Sequence, residues 1–176
     1  MKAYPEYKHS GVEWIGEIPR DWKYSRLKYV TSYNDIKLDD NTDPEYEFTY
    51  IEISDVDSQG NIGSGTVTTF RNSPSRARRV LQKNDVIIST VRTYLRSIGT
   101  IKEDNNSLVG STGFCVLKSL NELHHRYLSY LVTTEWFIAK VVSNSEGVSY
   151  PAINPTKLVT IPVILPPLFE QQQITN

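Results

Sequence analysis

Between Tyr46 and Lys118 the sequence is a series of short β-rich segments cut by turn clusters. Segment 46–53 (YEFTYIEI) alternates, and 66–70 (TVTTF) is β-branched, so both are predicted strands. Segment 85–91 (DVIISTV) is a continuous apolar run, which predicts a buried strand. Segments 97–102 (SIGTIK) and 113–118 (GFCVLK) are two further predicted strands around the polar loop 103–107. Asp57, Gly60, Asn61, Gly63 and Gly65 mark a turn cluster over 55–65, and 34–45 reads as a polar loop.

One helix is predicted after these strands. Leu123, Tyr127, Tyr130, Leu131, Thr134, Ile138 and Val141 fall at helical spacing; Asn121 or Ser119 can cap the helix, and Ser119-x-x-Glu122 fits a capping box. The spacing predicts a single helix running to about Val142. Residues 157–165 (KLVTIPVIL) look strand-like, Pro166-Pro167 stops them, and 168–176 opens a helix. At the other end, Pro5 and Pro19 exclude one long element. Residues 10–22 are predicted to form an ordered arm, pinned to the core by Trp14, Ile15, Ile18 and Trp22. Residues 23–33 suit a short strand or a short helix equally. The expected class is α+β, with a twisted, mostly antiparallel sheet and a few packed helices.

A chain of 176 residues with 39% hydrophobic content suits one domain with a sizeable core. It has no apolar run of membrane-spanning length and no signal-peptide h-region. Its one cysteine, Cys115, sits between Phe114 and Val116 and is expected to be a buried thiol; cytoplasmic residence follows.

The net charge of −1 hides an asymmetry: residues 71–102 carry eight Lys/Arg and one acid, Asp85. A locally basic, globally neutral chain suits nucleic-acid binding, although charge runs also cover ordinary solvated faces. Most of these cations are Arg, which matches phosphates and guanine edges better than Lys does.

Catalytic signals are scarce. There is no phosphate-cradling glycine motif, and Gly60-x-x-Gly63-x-Gly65 is only a turn cluster. His124 and His125 are adjacent, so on a helix they would point to different faces; no metal is expected. Asn154-Pro155-Thr156 lacks the second proline and aromatic of an adenine methyltransferase loop, so Pro151 and Pro155 read as loop punctuation. Asn105-x-Ser107 matches a glycosylation sequon without relevance in the cytoplasm. No cofactor is expected.

Five stretches carry a resemblance: SGVEWIGEIPRDW (10–22), YIEISDVDSQGNI (50–62), VLQKNDVIISTVRTYLRSIGTI (80–101), GSTGFCVLK (110–118) and PAINPTKLVTIPVILPPLFEQQQI (151–174). Together they resemble one target recognition domain of the specificity subunit of type I restriction-modification systems. The arm and the Leu165-Pro166-Pro167-Leu168-x-Glu170-Gln171-Gln172 exit are the most specific pair. The resemblance implies a non-catalytic reader of double-stranded DNA, serving one half of a split site. It implies partnership with a methyltransferase subunit and a restriction/translocase subunit. It divides the chain into a recognition domain with its arm (1–167) and the start of a spacer helix (168–176), as in a half subunit. With so little spacer, the isolated chain is expected to be a monomer.

Candidate DNA-contacting residues follow from charge and resemblance together. Arg71, Ser75, Arg76, Arg78 and Arg79 are predicted to lie in a basic loop that follows phosphates. Arg92, Tyr94 and Arg96 fall on one side if strand 85–91 continues, setting two guanidinia about an aromatic; a ladder of cross-strand charge pairs is the alternative. Asn144 is an adenine-reading candidate in the polar loop 143–150, where a helix C-terminal turn ending at Gly147 is the other reading. Ser111 and Thr112 are weaker candidates. Four to six neutralised phosphates would give a log K against log salt slope of about −4 to −5. The competing view of the whole chain is a remnant half subunit that keeps a protein-interaction surface without useful DNA binding.

Overall fold

The structure is a computed structural model that describes residues 4–12, 15–104 and 107–176. Trp14 and the sequon residue Asn105 lie outside the described residues.

The arm is a hairpin of β1 (Tyr7–His9) and β2 (Glu17–Pro19), paired Tyr7 to Pro19. Ile18 is buried and anchors it. The ambiguous stretch 23–33 contains both alternatives: β3 (Lys23–Arg26), the single turn α1 (Leu27–Val30) and β4 (Thr31–Tyr33). Then come β5 (Glu47–Ile51), β6 (Thr66–Thr69), β7 (Ala77–Leu81), β8 (Val86–Ser89), β9 (Ile98–Thr100), β10 (Leu108–Ser111) and β11 (Phe114–Ser119). Helices α2 (His125–Val132), α3 (Glu135–Ser143) and α4 (Pro155–Leu158) follow, with β12 (Pro162–Leu165) and α5 (Leu168–Ile174) last.

The α+β class holds. The strands divide between two four-stranded sheets, ordered β6-β5-β10-β7 and β4-β11-β8-β9, and two small ribbons, β1-β2 and β12-β3. The β5/β10 ladder is parallel and the other ladders between these strands are antiparallel.

Alternation explains the uninterrupted apolar runs. In β8 and β11, Val86, Ile88, Cys115 and Leu117 face the helical side with Leu128, Leu131 and Phe137. Ile87, Phe114 and Val116 face the other sheet, meeting Ile51, Leu81 and Leu108. The second sheet is thus covered on both faces, so its strands carry no polar alternation. The far face of the first sheet closes over Phe48, Tyr50, Ala77 and Val109. Burial pushes the Cys115 thiol up to about 12, as suits an inert core cysteine.

Three local expectations are corrected. The long helix is two, broken at Thr133-Thr134, where Thr134 is extended (φ −65°, ψ 144°) and its Oγ1 donates to Leu131 O at 2.7 Å. Threonine hydroxyls that bond back to the preceding turn compete with helix continuation. Ser119 ends β11 and caps nothing. In 157–165 only the second half is strand; Asn154 accepts from Thr156 N at 2.9 Å and caps α4 with Pro155 at its first position. The histidines also differ from expectation. His124 is an extended N-cap, so its ring stacks on His125 with centroids 4.5 Å apart.

Candidate nucleic-acid interface

The strand carrying Arg92, Tyr94 and Arg96 does not continue. β8 ends at Ser89, and residues Thr93–Leu95 form a 3₁₀ turn. The turn is flanked by two left-handed residues, Arg92 (φ 50°) and Arg96 (φ 58°). Left-handed non-glycine residues cost energy and persist only where the surroundings hold them. Here Arg92 N donates to Pro151 O at 2.7 Å, Thr93 Oγ1 meets Ser145 Oγ at 2.9 Å, and Ser89 N donates to Ser97 O at 2.9 Å. The turn therefore sends the two guanidinia to different partners. Arg96 makes two bonds to Glu135, at 2.6 and 2.9 Å, which hold that carboxyl below its usual pKa and the guanidinium above its own. Arg92 lies 4.4 Å over the Tyr150 ring, and Tyr94 is exposed on the turn.

Tyr150 belongs to a loop closed like a hairpin. Glu146 and Ala152 exchange both backbone bonds, at 2.8 and 2.9 Å, and Val91 bridges Ala152. Val148 is fully exposed at its tip, and Gly147 at φ 102° makes the turn. Asn144 sits at the C-cap of α3, its Nδ2 donating to Lys140 O at 2.8 Å. One of its two side-chain N–H donors is thereby committed to the helix end.

A cleft of about 720 Å³ lies between this turn and the first sheet. Arg76 and Glu52 stand on one wall, Arg92 and Tyr150 on another, and Ser111 and Thr112 line it as well. Arg76 is braced: Nε donates to Tyr50 Oη at 3.1 Å and Nη2 to Glu52 Oε1 at 2.5 Å. The Glu52 bond, then the Tyr50 bond, raise the guanidinium pKa above its ordinary value. Thr112 N donates to Arg76 O at 2.8 Å, tying the backbone to the turn after β10.

The remaining candidates are dispersed. Arg78 and Arg79 belong to β7 rather than to a loop; Val80 pairs with Val109 and Arg79 with Gly110 in that ladder. Arg78 is tucked 4.7 Å over the Phe70 ring and 3.7 Å from Asp40. Arg79 Nε is buried without a hydrogen-bond partner among the described residues. Arg71 lies in the 3₁₀ turn Phe70–Asn72, 2.9 Å from Glu45, and Ser75 is exposed in the turn before β7. The basic run is thus answered in space by Glu45, Glu52, Asp40 and Glu135, all from outside it.

Residues 19–176 match the family of type I restriction modification DNA specificity domains. The chain belongs to that family. Its fold agrees: the HsdS subunit from Thermoanaerobacter tengcongensis is similar at 34% identity and TM-score 0.78, over 90% of this chain and 41% of that one. A chain from a structure on complex assembly and conformational transition of the type I R-M system gives 32% identity and TM-score 0.80, over 89% and 41%. The S subunit from M. genitalium shares the fold at 16% identity and TM-score 0.58, over 88% and 37%. This specificity domain spans about two fifths of the length of those chains. No curated protein matches it in sequence.

The family's exit motif has a physical role in this specificity domain that spacing alone did not show. Glu170 Oε2 accepts from Tyr4 Oη at 2.8 Å and from Trp22 Nε1 at 2.9 Å, fastening the arm to α5. Gln171 is wholly buried. Its Oε1 accepts from His124 N, and its Nε2 donates to Glu122 O and Pro166 O. Glu52 was missed as a cleft residue, because it lies 24 positions from Arg76 and nothing local links the two, while Tyr150 was placed only within the polar loop 143–150. No helix among the described residues is long and apolar enough to cross a membrane.

Proposed function

We propose that this chain reads one half of a split double-stranded DNA site, as the non-catalytic specificity component of a type I restriction-modification assembly. Membership of the DNA specificity domain family over residues 19–176 carries the reading. The cleft supplies chemistry suited to it: the guanidinia of Arg76 and Arg92, with Thr112 also in the lining. Residues 1–167 are the recognition domain with its arm, and α5 begins the spacer helix. Arg76, Arg92 and Tyr94 are the leading base and phosphate contacts. Arg71, Ser75, Arg78, Arg79, Arg96 and Asn144 are secondary because none of them lines the cleft, whereas Arg76 lines it even though it is paired with Glu52. A methyltransferase subunit and a restriction/translocase subunit are the protein partners, in the cytoplasm, and the isolated chain is a monomer.

The test is selection from a randomised duplex library at low and moderate salt, with Arg92→Ala alongside. A short enriched motif, weakened in the variant, is the expected result. Salt-sensitive bulk binding without enrichment, or no binding, would overturn sequence-specific reading by this chain.

A further inference from the structure

The geometry points to Arg76 as a guanine reader whose orientation is set by two positioning residues, Glu52 and Tyr50. The inference rests on the DNA reading above. A guanidinium presents five N–H donors in a rigid plane. Nε and the near proton of Nη2 lie along its side edge, the edge taken by Tyr50 and Glu52. The outer edge, Nη1 with the second proton of Nη2, is left for a ligand in the cleft; Nη1 has no partner among the described residues. Two parallel donors match the O6 and N7 acceptors of guanine, whereas adenine presents a donor where guanine has O6.

Phosphate also accepts two parallel donors, and Glu52 decides between them. Its carboxylate lies 2.5 Å from Nη2 and its side chain is 37% exposed, so an anion on the outer edge meets a like charge nearby. The guanine edge is neutral and does not. Tyr50 is buried in the first sheet and cannot swing away, and Arg76 is fixed at its backbone by Thr112. A guanidinium fixed on one edge has lost its rotamer freedom before DNA arrives, which favours one base geometry over general attraction.

The experiment uses the full chain and its selected duplex, with 7-deazaguanine replacing each guanine in turn to delete N7. Wild type is expected to lose about tenfold in affinity at one guanine. Glu52→Gln and Tyr50→Phe should lose most of that discrimination while remaining folded by thermal melting. Glu52→Gln should also bind random duplex more tightly at low salt, an effect a purely structural role does not give. Arg76→Lys should keep charge-driven binding and lose the guanine preference, and it carries the test if Tyr50→Phe melts early. A motif without guanine, indifference to 7-deazaguanine at every position, or full discrimination in folded Glu52→Gln would overturn the inference alone. Absence of any sequence-selective binding by wild type would overturn the DNA reading and this inference with it.

Discussion

Gln171 caps helix α2 from 47 positions further along the chain: its Oε1 accepts from His124 N at 2.8 Å. The same side chain donates to Glu122 O and Pro166 O, both at 2.9 Å. One buried amide thus satisfies three backbone groups from two segments, a helix start and a strand exit. Helix α2 has no local side-chain cap, so this contact replaces one.

Gln171→Leu should therefore be strongly destabilising. It keeps the volume and leaves three backbone groups without this partner, the Pro166 carbonyl in a buried setting and the other two partly buried, at a cost of about 2–4 kcal/mol. Thermal unfolding should shift down by roughly 5–15 °C. A shift under a degree or two would mean that the amide is dispensable.

Glu170→Ala should free the arm without unfolding the body. It removes the acceptor shared by Tyr4 and Trp22. Limited trypsin digestion at Lys8 and Arg20 should accelerate severalfold, with a global loss near 1 kcal/mol. The Glu170 hydrogen bond, followed by desolvation, raises the Tyr4 pKa. Because the folded value is the higher one, this contact's stabilisation is complete below the ordinary tyrosine value of about 10 and is lost as pH rises through the folded value. The wild-type arm should loosen at alkaline pH, and Glu170→Ala should show no such step.

Asp85→Asn should stabilise the protein at neutral pH. Asp85 is buried; Oδ2 accepts from Gln82 N at 2.8 Å, and Oδ1 has no partner among the described residues. Desolvation raises its pKa despite that bond and nearby Lys118. A folded pKa above the unfolded one means stability present at low pH and lost as pH climbs through the folded value. The variant's advantage should be small near pH 4 and roughly 1 kcal/mol at pH 7. Denaturant midpoints measured across that range check it, and a gap that does not grow with pH counts against it.

The salt dependence of duplex binding should be shallower than the basic run suggests. Arg71, Arg76, Arg78 and Arg96 already hold carboxylates, so fewer cations are free to displace counterions. With two or three phosphates neutralised, the log K against log salt slope should be about −2 to −3. A slope of −4 or steeper would show that the ion pairs open on binding.

Strand material at 46–53, 85–91 and 113–118 was legible because alternation and β-branching are local signals. β7 was not, because Arg78 and Arg79 read as loop. In the fold, Arg78 covers Phe70 and Arg79 lies in mid-ladder opposite Gly110. The break between α2 and α3 was hidden by a stripe that stays in phase across Thr133-Thr134: Leu131 and Ile138 are both buried. The cleft arginines were visible as charge, but their geometry was not, because it depends on left-handed turns held by partners 50 or more residues away, such as Ser145 for Thr93.

By itself the sequence determined the short-strand class, the buried place of Cys115 and, through its arm and exit motif, the family. These depend on neighbours along the chain or on residue identity. Which arginines are available to a ligand was decided only by the tertiary structure. Glu52 lies 24 positions from Arg76, and Glu135 lies 39 from Arg96. Charge compensation across such separations follows from the strand order of the first sheet and from α3 packing on the Thr93–Leu95 turn, and it leaves no trace in a local count of charge.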